Sequence, residues 1–208
     1  MAKTVSLLHA RDLSCFRGEV CLFENLGFEL SAGEALQVEG ANGAGKTSLL
    51  RIIAGMTPPD EGDVQWRGQS IKGCRSDFNA QLAYLGHHLG LKHELTVEEN
   101  LRASILIQGA ADSLGQVADV LRHVGLSDRS DLPVRVLSAG QKQRVALARM
   151  LLVGAVLWVM DEPFTALDSS GIGLIGDLLG DHLDRGGLAV MTSHQAIPLG
   201  SRLQRLVL

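Results

Sequence analysis

The chain has 208 residues, 46% of them hydrophobic, with a formal net charge of −4 and an isoelectric point near 6.0. This length suits a single domain with a substantial core. Weak acidity and only 4% aromatic residues argue against a nucleic-acid-binding surface. The longest run free of charged residues and histidine, Met150 to Met160, is shorter than the roughly 20 residues of a membrane helix, and no apolar signal segment is seen at the N-terminus. We therefore expect a protein that is made and kept in the cytoplasm, with Cys15, Cys21 and Cys74 as reduced thiols.

The first predicted element is a glycine-rich loop, Gly40-Ala-Asn-Gly-Ala-Gly-Lys-Thr47, which fits the phosphate-binding pattern G-x-x-x-x-G-K-[ST]. Its glycines let backbone N–H groups converge on a phosphate, and the helix that begins near Lys46 adds the positive end of its dipole. Residues 34–39 predict a short strand that runs into the loop, and residues 48–54 predict an apolar helix that leaves it, as such a loop requires. A glycine-rich turn without chemistry would not need lysine followed by threonine at this place.

We therefore predict a nucleoside triphosphate site. Lys46 would reach the β- and γ-phosphates, and the Thr47 hydroxyl would join the shell of a Mg²⁺ ion. The residues assigned to nucleotide binding are Gly40, Ala41, Asn42, Gly43, Ala44, Gly45, Lys46, Thr47 and Ser48.

A helical stretch follows from about Gly86 to Leu152. The capping-box pattern Thr96-Val-Glu-Glu99 predicts the start of one helix, and Ser113-Leu-Gly-Gln116 is a candidate start of another. A third helix is predicted after Leu137-Ser-Ala-Gly-Gln141, where Ser138 would act as N-cap and the first-turn N–H groups could bind an anion. Its predicted buried face consists of Val145, Leu147, Ala148, Leu151 and Leu152. These helices predict an insert, at about residues 86–152, within an α/β nucleotide-binding core.

From Ala155 onward, alternating strands and helices return. The apolar run Val156-Leu-Trp-Val-Met-Asp161-Glu162 predicts a buried parallel strand whose two acids emerge at its C-terminal edge, beside the phosphate loop. Asp161 would hold Mg²⁺, and Glu162 would orient or deprotonate the water that attacks the γ-phosphate. The alternative is a solvated pair of acids at a strand end.

These motifs together resemble those of the ATP-binding subunits of ABC transporters, over essentially the whole chain. Residues 40–47 resemble the Walker A motif, 137–141 the signature motif and 156–162 the Walker B motif. The resemblance implies a single nucleotide-binding domain over residues 1–208. Its fold would be an α/β P-loop NTPase core with an N-terminal antiparallel β subdomain and an inserted helical subdomain.

The same resemblance implies further roles. Phe16 would stack on adenine, Asp168 would lie at the subunit contact, and His194 would contact the γ-phosphate. Two copies would pair head to tail, so that Ser138, Gly140 and Gln141 of one copy complete the ATP site of the other. ATP would close this dimer, hydrolysis would reopen it, and separate membrane subunits would be moved.

The chain departs from the general family pattern at two positions. Ala139 replaces the first signature glycine, which should leave phosphate binding intact because no N–H donor is lost. His87 replaces the glutamine that contacts Mg²⁺ and the attacking water, so we assign His87 to the catalytic set.

With that histidine, the runs at residues 84–92, 157–166 and 192–195 resemble the haem-exporter ATPases of bacterial cytochrome c maturation. That resemblance implies CcmB- and CcmC-like integral membrane subunits and a peripheral position on the cytoplasmic face of the inner membrane. A His87-His88 haem-ligand pair is the less favoured interpretation of this loop.

Three other functions are alternatives to a haem-exporter ATPase. A soluble ABC protein of translation or DNA repair usually carries two cassettes or a long coiled-coil insertion, and the chain has neither. A non-enzymatic nucleotide-binding module would lack Glu162 or His194, and both are present. An ATPase for transport of another solute would share every catalytic motif and stays open as the alternative.

Overall fold

The structure is a computed structural model that describes residues 6–193, 195, 197 and 199–208. Two β-sheets and six α-helices make up most of these residues. Their bounds are β1 Ser6–Arg17, β2 Val20–Ser31, β3 Ala35–Glu39, α1 Lys46–Ile53, β4 Glu61–Trp66, β5 Gln69–Ser70, α2 Arg75–Ala80, β6 Leu82–Leu85, α3 Val97–Ile107, α4 Val117–His123, α5 Ala139–Val153, β7 Leu157–Asp161, α6 Ser169–Asp184, β8 Leu188–Thr192 and β9 Leu203–Val207.

The two sheets differ in the direction of their strands. The four-stranded sheet has the order β2-β1-β4-β5 and is antiparallel throughout. The five-stranded sheet has the order β6-β7-β8-β3-β9 and is parallel throughout. The ATPase fold class predicted from the sequence, an α/β core with an antiparallel β subdomain, is confirmed.

The parallel sheet is covered on both faces, and every residue of β7 and β8 is buried. Because side chains alternate along a strand, Val159 and Val190 join the cluster under α1 and the antiparallel sheet, whereas Met160 and Met191 join the cluster under α5 and α6. This explains why these strands are continuous apolar runs in the sequence.

Helix α5 contributes to two cores. Ala146 and Met150 pack on the parallel sheet, while Val145, Ala148 and Leu152 pack on α3 and α4 in a separate cluster. Four of the five residues predicted for its buried face are buried, whereas Leu151 is only partly buried.

The helix starts were predicted with mixed success. Thr96 and Ser138 both form complete capping boxes, each accepting a hydrogen bond from the backbone N–H three residues on. The predicted cap at Ser113 is wrong, because residues 111–116 form a 3₁₀ helix and α4 begins only at Val117, after Gln116, which makes no side-chain cap. Within the described part of the chain, no helix combines the length and apolar character needed to cross a membrane.

Candidate functional site: a phosphate-loop cavity and a separate signature surface

The phosphate loop joins β3 to α1 at the C-terminal edge of the parallel sheet. Gly45, the residue before α1, has φ +101°, and a Cβ there would lie 3.0 Å from the Cβ of Leu22. Only glycine therefore fits this turn without strain. The Lys46 ammonium donates to the carbonyl oxygens of Gly40 at 2.8 Å and Ala41 at 3.0 Å, so it lies folded over its own loop. That position is where the phosphates of a bound nucleotide would meet it.

Asp161 ends strand β7 directly across from this loop. The residue is 8% exposed, and its carboxylate accepts two hydrogen bonds, one at each oxygen. The Thr47 hydroxyl donates to Oδ2 at 2.8 Å, and the Thr192 hydroxyl donates to Oδ1 at 2.8 Å. Since Thr192 pairs with Asp161 in the sheet, the neighbouring strand fixes the orientation of the carboxylate. The structure thus brings the first helical turn and the strand-end acid together, as predicted.

Glu162 follows Asp161 in the left-handed region of backbone conformation, with φ +53°. A non-glycine residue held there is strained, typically by about 1–3 kcal/mol, and such strain is concentrated at functional sites. Its backbone N–H donates to the Thr192 hydroxyl at 2.8 Å, which turns the chain sharply away from the sheet. Glu162 therefore lies beside the phosphate loop.

A cavity of about 480 Å³ connects these residues. It is lined by Arg17, Leu22, Asn42, Gly43, Gly45, Lys46, Thr47, Ser48, His87, Asp161 and Glu162. The predicted phosphate-binding, metal-binding and water-activating residues thus meet in one place, although they come from three separate parts of the chain.

The other predicted site residues near this cavity are His87, Phe16 and His194. His87 is exposed, follows β6 and lines the cavity, with its ring 5.5 Å from that of His88 in an edge arrangement. Phe16 is 43% exposed on β1 and is not part of the cavity lining, although its neighbour Arg17 is. The predicted γ-phosphate contact, His194, lies outside the described residues.

The signature residues form a second, separate depression of about 500 Å³. It is lined by Gly125, Leu126, Ser138, Ala139, Gly140, Gln141, Arg144, Ala166, Leu167 and Asp168. The Ser138 hydroxyl accepts from the Gln141 N–H at 3.2 Å, and the Gln141 side chain accepts from the Ser138 N–H at 2.9 Å. Among the described residues, none lines both this depression and the phosphate-loop cavity.

Asp168, the predicted subunit-contact residue, is the N-cap of α6. It accepts hydrogen bonds from the Gly171 N–H at 2.8 Å and from the Ser170 hydroxyl at 2.9 Å. These hydrogen bonds, the Gly171 one first, lower the pKa of Asp168, and the nearby Arg144 adds to this effect. Asp168 is therefore ionised at neutral pH at the edge of the signature depression.

Sequence reasoning did not assign four residues that shape these sites. Thr192 orients Asp161, and Gln37 donates to the carbonyl oxygens of Ser193 at 3.1 Å and Gln195 at 3.2 Å, which holds the segment after β8. Gln143 on α5 donates to the Pro163 carbonyl at 2.8 Å, just past Glu162. For Gln37 and Thr192 the signal was a polar residue inside or at the end of an apolar run, since such a residue is buried only with partners. Gln143 lies between Lys142 and Arg144 and has no such signal.

Tyr84 is the fourth of these residues. Burial raises the pKa of its phenol, and the Asp161 carboxylate adds to this shift. The phenol therefore stays neutral beside the acid of the predicted metal site.

Known proteins define the class of this fold. Residues 23–165 match the ABC transporter family. A solved ATP-binding subunit of an ABC transporter superposes with a TM-score of 0.82 at 28% identity, covering 91% of this chain and 80% of that one. An ABC transporter ATP-binding protein from Pyrococcus furiosus gives 0.84 at 25% identity, covering 97% and 98%.

Relatives with assigned functions are more similar still. The cytochrome c biogenesis ATP-binding export protein CcmA of Methylococcus capsulatus is 52% identical over 190 residues, which are 91% of this chain and 92% of that protein. The CcmA protein of Nitrosospira multiformis is 46% identical over 202 residues, covering 97% and 98%. The chain therefore belongs to the ABC transporter family and, within it, to the CcmA group of ATP-binding proteins. It binds ATP and couples ATP hydrolysis to transport.

Proposed function

We propose that this chain is the ATP-hydrolysing subunit of a membrane complex that exports haem, or releases its haem chaperone, for cytochrome c maturation. The alternative is the ATPase subunit of an ABC transporter for another solute. The observation that carries the enzymatic part is the convergence of Lys46, Thr47, Asp161 and Glu162 on one cavity. The cytochrome c part rests on the similarity to CcmA proteins over nearly the whole of both chains.

In this proposal the loop N–H groups and Lys46 hold the phosphates of ATP. Glu162 polarises the attacking water as general base, and His87 makes the water contact that glutamine makes elsewhere in the family. His194 is assigned to the γ-phosphate and Phe16 to adenine by family resemblance. Phe16 itself does not line the cavity, but its neighbour Arg17 does.

Thr47 and Asp161 fit a magnesium ion. Their oxygens lie 2.8 Å apart at the mouth of the phosphate loop, and both are hard donors of the kind that Mg²⁺ prefers. An ion held by one or two protein oxygens, with water and phosphate completing its shell, is typical of phosphoryl-transfer sites. When bound, the ion would neutralise charge that develops on the phosphate oxygens.

We further propose that two copies share each ATP site head to tail. The support is the separation of the signature depression from the phosphate-loop cavity within one chain. Ser138 and Gly140 lie at a helix start, which is a place where anions bind, and the Gln141 side chain holds Ser138 there through the capping box. Such a surface completes a site in another copy better than it forms one alone. The copy itself would be a single nucleotide-binding domain over residues 1–208, with the helical insert at about residues 86–152.

CcmB- and CcmC-like membrane subunits are the proposed partners, at the cytoplasmic face of the inner membrane. A groove of about 650 Å³ next to the His87 loop supports such docking. Met56 and Ile107, 50% and 83% exposed, offer apolar contacts there, and the half-buried Arg149 donates to the Gly90 carbonyl at 3.5 Å. An amphipathic segment with a carboxylate would fit this groove, and the His87 loop would sense it.

The test is complementation of a bacterium that lacks its CcmA protein. This chain should restore c-type cytochromes, measured by absorbance of the reduced membranes, and Glu162→Gln should not. Isolation of the tagged chain should bring down CcmB- and CcmC-like subunits. Normal ATPase activity with no restored cytochrome and different membrane partners would favour the alternative solute transporter.

A further inference from the structure

Residues 163–168, between β7 and α6, are called the connecting segment. The signature helix α5 contacts this segment at three points. The first point is Gln143, 7% exposed, whose side-chain N–H donates to the Pro163 carbonyl at 2.8 Å. Pro163 directly follows Glu162. The side chain of Gln143 therefore connects the second turn of α5 to the residue next to the proposed general base.

The second point is a close backbone approach. A Cβ added at Gly140 would lie 2.9 Å from the carbonyl oxygen of Ala166, which is too near for any other residue to fit without a shift. Ala166 itself has φ +65°, an unfavourable conformation for alanine. The connecting segment is thus held in a strained shape against the first turn of α5.

The third point is Arg144, whose side chain is 22% exposed. One guanidinium nitrogen donates to the Ser170 hydroxyl at 3.1 Å and lies 3.5 Å from the Asp168 carboxylate. The other donates to the Val124 carbonyl, at the end of α4, at 3.3 Å. A planar guanidinium has donors in a fixed fork, so it can hold three partners in one arrangement. The ends of α4 and α6 are thereby joined to α5.

We propose that Gln143 and Arg144 are positioning residues that make the signature helix and the connecting segment move as one unit. A shift at Glu162 in one chain would then reorient the signature surface that the same chain presents to its partner's ATP. This inference rests on the head-to-tail arrangement proposed above. It assigns the coupling of the two ATP sites to two side chains that lie outside the phosphate-loop cavity of their own chain.

The test uses Arg144→Gln and Gln143→Leu, each made in wild-type protein and in the Glu162→Gln variant. Affinity of the monomer for a fluorescent ATP analogue should change less than twofold, because the phosphate loop is intact. The Mg-ATP-dependent dimerisation constant, measured by sedimentation in the Glu162→Gln background, should weaken at least tenfold. In wild-type protein, kcat should fall at least tenfold.

Three comparisons distinguish positioning from general stabilisation. Arg144→Lys keeps the charge and should recover part of the lost dimerisation. Arg122→Gln removes an exposed arginine that pairs with Asp119 at 2.7 Å, and it should behave like its parent. The double variant at 143 and 144 should lose less than the product of the two single losses, since both act through one unit.

Two outcomes would overturn the inference. In the first, Arg144→Gln dimerises as tightly as its parent. In the second, ATP affinity, melting temperature and kcat fall together in both single variants, as expected from misfolding alone. If the Glu162→Gln parent itself stays monomeric with Mg-ATP, the shared-site proposal fails as well, which separates the two failures.

Discussion

The phosphate-loop cavity and the signature depression use helix starts in opposite ways. In the cavity, α1 begins with no side-chain cap at Gly45, which leaves its first N–H groups to a phosphate. In the depression, α5 begins with a complete capping box at Ser138, so part of its hydrogen-bonding capacity is already used within the chain. The first helix start is therefore built for tight phosphate binding, and the second for a weaker, additional contact.

The two surfaces also differ in the acids and bases that they contain. The cavity combines Lys46 with Asp161, Glu162 and His87. These are the residues proposed to bind phosphate, to hold the metal ion that neutralises charge, and to activate water. The depression has a hydroxyl, backbone N–H groups, Arg144 and the carboxylate of Asp168. The lowered pKa makes Asp168 a weaker base, and its Oδ1 already accepts hydrogen bonds from the Gly171 N–H and the Ser170 hydroxyl. In the proposed head-to-tail pairing, one surface supplies the chemistry and the other the recognition, so each would need the other from a second copy.

The largest effect should come from Glu162→Gln. The amide keeps the size of the side chain but cannot accept a proton, and general-base catalysis is typically worth about 10²–10⁴ in rate. We expect ATPase activity to fall at least a hundredfold while Mg-ATP binding persists and a dimer accumulates. Steady-state ATPase assays and sedimentation measure both. Glu98→Gln on the surface of α3 is the matched control, and wild-type turnover in Glu162→Gln would remove this residue from the mechanism.

The signature surface can be tested by Ser138→Arg. The larger cation would fill the depression and remove the hydroxyl of the capping box, which costs about 1 kcal/mol of helix stability. ATP binding to the monomer should persist, but Mg-ATP should no longer dimerise the Glu162→Gln background, and kcat should fall at least tenfold. Ser138→Ala loses the cap without the bulk and separates the two causes. Unchanged mass with and without Mg-ATP in the parent would count against a shared site.

The sequence predicted those parts of the molecule whose signal is local. The phosphate loop, both capping boxes and the buried strands β7 and β8 were predicted from spacing and apolar runs alone. Ser113 failed because its capping pattern lies in a 3₁₀ segment that contains Gly115, and pattern alone does not distinguish the two helix types.

Contacts between distant segments were not predictable in the same way. That Thr192 would hold Asp161 depends on the two strands being neighbours in register, which the parallel strand order decides. The hydrogen bond from Gln143 to Pro163 depends on how α5 packs on the sheet. Spacing carries no information on either, so the side chains that orient the site were missed while the side chains proposed to do the chemistry were not.

Thr192→Val tests whether the cavity depends on these orienting contacts. Valine matches the shape of threonine but removes the hydroxyl that bonds both Asp161 and the Glu162 backbone. A buried group that loses its partner costs about 1–3 kcal/mol, so we expect the free energy of unfolding to drop by that amount in urea titrations. The kcat should also fall severalfold. Thr57→Val on the surface is the control, and equal behaviour of the two variants would contradict an orienting role.

The next prediction concerns His87, the cavity residue that departs from the pattern of the wider family. Glutamine can make the same water contact, so His87→Gln should keep ATPase activity within about tenfold, a barrier change near 1.4 kcal/mol. His87→Ala should lose more activity and weaken coupling to the membrane partner more than ATP binding. Absorbance titration with haem tests the other interpretation. If both variants lost haem binding while keeping ATP hydrolysis, His87 would be a haem ligand instead.

The smallest expected effect is at His182 of α6, which lies outside the phosphate-loop cavity and the signature depression. Its ring stacks on Trp158 with centroids 4.0 Å apart and bonds to the Leu188 carbonyl at 3.1 Å. Burial lowers the pKa of His182 below the usual value of 6.5, outweighing the hydrogen bonds to backbone carbonyls. The unfolded chain therefore binds a proton more readily than the folded protein.

The sign of the pH dependence follows directly. The contribution of His182 to stability is fully present above about pH 6.5, the pKa of histidine in an unfolded chain, and it decreases as the pH falls below that value. His182→Phe keeps an aromatic ring on Trp158 without a titrating group, so the free energy of unfolding should fall less steeply between pH 7 and 5. Urea titrations at several pH values measure this slope. The control is His93→Phe, which replaces an exposed histidine.

His182→Phe could instead have the same slope of unfolding free energy against pH, and the same pH profile of ATPase activity, as the wild type. In that case, the buried histidine would not be the group whose titration changes the stability. ATP hydrolysis at pH 7 should be unaffected in both variants, since the Trp158–His182 pair lies outside the phosphate-loop cavity and the signature depression.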